Sequence, residues 1–221
     1  MRAIDVSGYR YCDIVLYLAG LLNAMGEKVF VRDLSEDMTL YKYLPKVERL
    51  GNDDIMELKG VLFAQGYKVI PEECTYCFDL QEHSSDTVFV KEDNSGDYRL
   101  FEDGEESEDD VDHSILFSVR NAGDYVGYDA VTVLRDSVGI EMKKFGNMFR
   151  GSSQNKVLRL PYSLKDWEAE LYLTVRDDVN FLSVSEKMGR ILEELVLRFR
   201  PETTGRQFEK AYREVMKGGA R

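Results

Sequence analysis

The spacing of apolar positions changes several times along the chain. Ala3-Ile4-Asp5-Val6 is a short strand-like run, and Ser7 to Asp13 reads as a loop. From Ile14 to Met25 apolar residues recur at helical spacing and stop at Gly26, where a helix C-cap belongs. Lys28-Val29-Phe30-Val31-Arg32-Asp33 then predicts a second strand. Strand, helix and strand in that order make a βαβ unit, whose crossover is right-handed and whose strands are parallel. The pattern therefore predicts an α/β fold with a mostly parallel sheet and helices on both faces.

Further along, Asp37 to Gly66 reads as mostly helical, with Leu58, Val61, Leu62 and Ala64 preceding a glycine. Tyr67-Lys68-Val69-Ile70 follows as a strand closed by Pro71. Two alternating runs, Val88-Phe89-Val90 and Tyr98-Arg99-Leu100-Phe101, flank Asn94-Ser95-Gly96-Asp97, which is hairpin chemistry. Buried strands are predicted at His113 to Val119, Ala130 to Leu134 and Lys156 to Leu160. Helices are predicted at Val138 to Phe149, Phe181 to Phe199 and Arg206 to Lys217, with Pro201 ending the second of these. The expected organisation is one α/β domain over 1–200, carrying an acidic insertion at Glu102 to Asp112 that reads as a solvated loop, and a C-terminal helix within 201–221.

Charge narrows the function classes. The 221 residues carry a net charge of −12, which repels a phosphate backbone and argues against nucleic-acid binding. The stretch Arg198 to Arg221 is the exception, with seven bases against three acids. No apolar run approaches the roughly 18 to 20 residues of a membrane span, and Asp5 interrupts what would be the apolar core of a secretory signal. Three cysteines make no disulfide framework. Together these features predict a cytoplasmic protein. Cys74-Thr75-Tyr76-Cys77 has the C-x-x-C spacing, but a zinc site needs four ligands, and His83 and His113 do not supply them at finger-like spacing. Packed or partly exposed free thiols are the expectation, with no metal.

The loop after a first strand is where α/β proteins cradle phosphates, because the free amides of the next helix point into it. Here that loop holds Ser7, Gly8, Tyr9, Arg10, Tyr11, Cys12 and Asp13. A phosphate cradle calls for glycines, a lysine and a magnesium-binding hydroxyl, and only Gly8 fits that description.

Leu18-Ala19-Gly20-Leu21-Leu22-Asn23-Ala24-Met25-Gly26, followed by Lys28-Val29-Phe30-Val31-Arg32-Asp33, resembles the helix and second strand of the MinD/ParA group of deviant-Walker ATPases, and within it the TadZ-like localisation factors. Counted back in register, the family's signature lysine falls on Val6, its glycines on Ser7, Gly8 and Arg10, its P-loop lysine on Tyr11, and its two hydroxyl residues on Cys12 and Asp13. Val157-Leu158-Arg159-Leu160-Pro161-Tyr162-Ser163 with Trp167-Glu168-Ala169-Glu170 is similar to the family's late strand, adenine-side turn and following helix, so Pro161 and Tyr162 would flank a base. The resemblance implies a P-loop NTPase-like three-layer sandwich. It also implies a probe-able distinction: exchanging a lysine for Tyr11 and a hydroxyl for the Asp13 carboxylate removes a positive charge and adds a negative one beside a triphosphate.

The expectation is a pseudo-ATPase with no cofactor, serving as a localisation or scaffolding factor for a bacterial envelope assembly such as a pilus or secretion system through protein partners. Weak nucleotide binding through Arg10 stays open, as does dimerisation through Tyr9, Arg10 and Tyr11. The alternative is an enzyme or small-ligand sensor using the same crevice, with Arg10, Tyr11 and Asp33 as polar contacts. Asp33 itself reads equally as the family's second-strand acid or as a cap of the next turn. In the last helix Phe208, Ala211, Tyr212, Val215 and Met216 form an apolar stripe, with Arg206, Lys210, Arg213 and Lys217 off it. Such a helix either docks on its own domain or lies on an anionic membrane, which would put the protein at the inner membrane face.

Overall fold

A computed structural model describes residues 1–8, 10–35, 39–44, 55–81, 89–92, 98–101, 114–120, 129–135, 155–175 and 181–217. Ten strands are described: β1 Arg2–Gly8, β2 Val29–Asp33, β3 Met56–Leu58, β4 Val61–Gln65, β5 Tyr76–Leu80, β6 Phe89–Glu92, β7 Tyr98–Phe101, β8 Ser114–Arg120, β9 Asp129–Arg135 and β10 Asn155–Leu160. The helices are α1 Cys12–Ala24, α2 Leu164–Val175, α3 Glu186–Phe199 and α4 Gly205–Lys217. Eight strands form one sheet in the order β10-β9-β8-β1-β5-β2-β4-β3, and β6 pairs with β7 in a separate antiparallel hairpin. Within the large sheet only β3 and β8 run against the rest. The class is α/β and the sheet mostly parallel.

The βαβ unit is present with one change. β1 and β2 are parallel, but β5 lies between them, paired with both. All five β5 residues are buried. A central parallel strand is covered on both faces and so shows no alternation, which is why Tyr76-Cys77-Phe78-Asp79-Leu80 escapes a pattern search. α1 begins at Cys12, two residues before the expected start. It ends with Gly26 at φ 90°, where the Glu27 amide returns to the Leu22 carbonyl at 3.1 Å, a left-handed C-cap.

Three expectations are corrected. Leu58, Val61, Leu62 and Ala64 belong to the β3–β4 hairpin rather than a helix. Lys59 and Gly60 turn the chain with φ of 50° and 81°, the paired positive values of a type I′ turn. A side chain at Gly60 would meet Asn23 Nδ2 at 2.9 Å, so the turn also sits against α1. The i, i+3, i+4 spacing of Leu58, Val61 and Leu62 imitates a helix because the two-residue turn interrupts the strand alternation. The predicted strand at Tyr67 to Ile70 is irregular, with Tyr67 and Val69 exposed, and it is held by the Lys68 carbonyl accepting from Arg32 Nη1 at 2.9 Å. The helix expected from Phe181 starts at Glu186, where Ser185 caps it by accepting from the Met188 amide at 3.1 Å. The expected helix over 138–149 and the acidic run over 102–112 lie outside the described residues.

The main core gathers on one face of the sheet. Ile4, Val6, Val29, Val31, Phe78 and Leu80 point to it, and α1, α3 and α4 pack there. Phe199 of α3 lies between Phe78 and Phe117, with ring centroids 6.1 and 6.0 Å away. On the opposite face Phe30, Ala64, Cys74 and Cys77 form a small second cluster with Leu62 and Ile70. Among the described residues, the segment after β4 covers that face and no helix does, so the expected helices on both faces are not what the described elements form. The C-terminal helix is docked. Phe208 and Ala211 are buried, while Tyr212, Val215 and Met216 pack against the core. Gly20 leaves space on α1 for this contact, because a side chain there would meet the Phe181 ring at 3.2 Å and Val215 at 3.6 Å. Thr204 and Gln207 start α4 as a reciprocal capping box, each side chain accepting from the other's amide, at 3.3 and 2.8 Å.

Candidate functional site

In a parallel sheet the carboxyl ends of the strands share one rim, and ligands bind in the crevice there. Gly8, Asp33, Arg135 and Leu160 all stand at such strand ends. Ser7 and Gly8 are not loop residues, because both are paired with β8 as the last positions of β1. The connection from β1 to α1 is therefore only residues 9–11. Tyr9 lies outside the described residues. Arg10 takes φ 49°, a left-handed conformation uncommon for a residue with a side chain. This turn lets α1 start directly behind the strand.

A buried polar network fills the space in front of α1. Arg135, 2% exposed, donates to both Asp13 oxygens at 2.6 and 2.8 Å. It also donates to Glu170 Oε2 at 3.0 Å and to the Arg10 carbonyl. Arg10 donates from Nε to Glu170 Oε1 at 3.3 Å and from Nη2 to Oε2. The Tyr43 hydroxyl donates to Glu170 Oε1 at 2.9 Å. Among the described residues, two guanidiniums thus meet two carboxylates. Asp13 lies in the first turn of α1, where the helix dipole favours a negative charge.

Electrostatics follow from this burial. Desolvation raises the Asp13 carboxyl above its ordinary value, opposed chiefly by Arg135. The Cys12 thiol is raised well above its ordinary value, first by burial and then by Asp33, Asp13 and Glu170. Tyr43 is raised by burial and by Glu170. Cys12 is therefore a poor nucleophile, since thiolate is the reactive form. The C-x-x-C pair behaves similarly: Cys74 and Cys77 are buried and free, and burial with Asp79 beside it pushes Cys77 up to about 12. Asp79 is held by Arg32 through two contacts of 2.6 Å.

The remaining expected site residues separate. Tyr11 and Cys12 are core residues, 4% and 1% exposed, so Tyr11 is not an interface side chain. Asp33 is fully buried and acts as a cap: one oxygen accepts from the Ser35 amide and hydroxyl at 3.0 and 2.5 Å, and the other from the Leu40 amide at 2.8 Å. Pro161 and Tyr162 are exposed at the end of β10. Phe208, Tyr212, Val215 and Met216 take no part in this network and lie on the helix docked against α1. Arg10 and Asp13 are the two expected loop residues that the network unites. Sequence reading missed Arg135, Glu170 and Tyr43. A charge closing the apolar run Ala130 to Leu134 was a signal for Arg135, because a buried cation needs a partner.

Comparison with family models, curated proteins and solved structures finds no match for this chain. Among the described residues no helix is long and apolar enough to cross a membrane, and no three His, Cys, Asp or Glu residues are grouped to hold a metal ion.

Proposed function

We propose that the protein is a non-catalytic localisation or scaffolding factor of the MinD/ParA-like type, acting in a bacterial envelope assembly such as a pilus or secretion system. The observation that carries the pseudo-ATPase part is the pairing of Arg135 with Asp13 and Glu170 in front of α1. A triphosphate needs unneutralised cations and helix amides at that point, whereas here two internal carboxylates hold both guanidiniums. The β1–α1 connection of three residues also leaves little chain for the glycine-rich cradle of a P-loop. The scaffolding role and its setting come from the resemblance of Leu18 to Asp33, and of Val157 to Glu170, to that family. Calorimetric titration with ATP and magnesium tests the first part. No heat of binding at millimolar nucleotide is expected, and micromolar magnesium-dependent binding would reject the reading. Affinity capture of the tagged chain from its own cells tests the second, with pilus or secretion components expected in the eluate.

A further inference from the structure

The bonds of the rim network converge on Glu170. Its Oε1 accepts from the Tyr43 hydroxyl at 2.9 Å and from Arg10 Nε at 3.3 Å, and its Oε2 accepts from Arg135 Nη2 at 3.0 Å and from Arg10 Nη2. A carboxylate has about four acceptor positions, and these donors fill them. The donors come from separate places in the fold: Arg10 from the β1–α1 turn, Tyr43 from just after the 3-10 turn Thr39–Lys42, and Arg135 from the end of β9. Glu170 comes from α2. Three parts of the chain thus build a receptor for one carboxylate, and a fourth supplies it.

The two guanidiniums are set without help from Glu170. Asp13 holds Arg135 through both of its oxygens at 2.6 and 2.8 Å, and Arg135 in turn donates to the Arg10 carbonyl, fixing the turn in which Arg10 takes φ 49°. A left-handed residue other than glycine persists where its surroundings impose it, and such strain gathers at ligand sites. Two guanidiniums and a phenol arranged in this way are preorganised for the planar oxygens of a carboxylate. The site also has an open side, because the Arg10 side chain is 28% exposed, against 2% for Arg135 and 8% for Glu170. We infer that this crevice is a binding site for a short-chain carboxylic acid, that the Glu170 carboxylate is its internal occupant, and that the acid enters past Arg10 as Glu170 turns out. A carboxylate tethered on α2 competes at a high effective concentration, so the unaltered chain is self-plugged and binds an external acid weakly. The inference goes beyond the proposed function and stands on the network alone, independent of any family resemblance.

Titration of the full chain with sodium acetate tests it, read by thermal unfolding against sodium chloride at equal ionic strength. Glu170→Ala vacates the carboxylate position, and its midpoint should rise saturably, by about 3–5 °C at about ten times the dissociation constant. The wild-type chain should need at least about tenfold more acetate for the same rise. Adding Arg10→Ala to Glu170→Ala should remove the acetate effect, and sodium phosphate should act less than acetate on Glu170→Ala. If Glu170→Ala has no cooperative transition in chloride, acetate should restore one. An acetate effect on Glu170→Ala no larger than that of chloride, an effect that survives Arg10→Ala, a wild-type response at the same acetate concentrations, or a response to phosphate as large as that to acetate would each overturn the inference. Titration of the wild type with ATP decides the proposed function separately, because acetate binding involves neither nucleotide nor magnesium.

Discussion

Arg135, at the end of β9, grips Asp13, in the first turn of α1, through two bonds of 2.6 and 2.8 Å across 122 residues of chain. Both side chains are 2% exposed, so the pair joins the sheet to the helix in a setting where neither charge has water as a substitute partner.

Asp13→Ala should therefore lower stability by about 3–5 kcal/mol, because it leaves the buried Arg135 guanidinium without the carboxylate that takes two of its bonds. Replacing both partners by apolar residues, Asp13→Leu with Arg135→Met, should recover most of that loss. Urea unfolding of the two variants measures the difference.

Rebuilding the family lysine should fail. Tyr11 is 4% exposed and belongs to the core, so Tyr11→Lys loses aromatic packing and forces an ammonium group toward an apolar site. A loss of about 3–5 kcal/mol is expected, of the size of a large-to-small core change, with no gain of ATP binding. Thermal unfolding with and without nucleotide checks both.

Alkaline pH should destabilise the fold. Burial raises Tyr17 and Tyr43 above their ordinary value of 10.0, and raises Cys77 from 9.0 to about 12. Between the unfolded and folded values the native state holds protons that the unfolded state has released, so stability falls as pH rises. The contribution is fully present below about pH 9 and is lost above it. Urea midpoints should be flat from about pH 7 to 8.5 and drop steadily to pH 11, by an amount on the order of several kcal/mol.

Phe208→Ala tests the docking of α4. Phe208 is 6% exposed and stacks near Tyr212 at 5.8 Å, so the change should cost about 3–5 kcal/mol by denaturant unfolding. A surface-lying helix held off the domain would give a change close to zero.

Legibility followed the range of the interactions. The β1–α1–β2 segment was readable because periodicity and the Gly26 cap are local, and so was α4, whose Thr204–Gln207 box and apolar stripe are contained in fourteen residues, 204–217. The β3–β4 hairpin was misread because Leu58, Val61 and Leu62 satisfy a helical spacing and nothing but Lys59-Gly60 contradicts it. β5 was not legible because a strand buried on both faces has no alternation. In the crevice, Asp13 was visible as an acid replacing a hydroxyl residue. Its partner was not, since a pairing over 122 positions leaves no trace in local spacing.

The bare position at Gly20 ties α1 to the C-terminal part of the chain. One end of this 13-residue rod, about 20 Å long, begins in the crevice beside Asp13, and its flank at Gly20 receives Phe181 and Val215. A rod of that length cannot bend appreciably over so few turns. A tilt of its first turn would therefore shift the contact at Gly20, and with it the seat of α4.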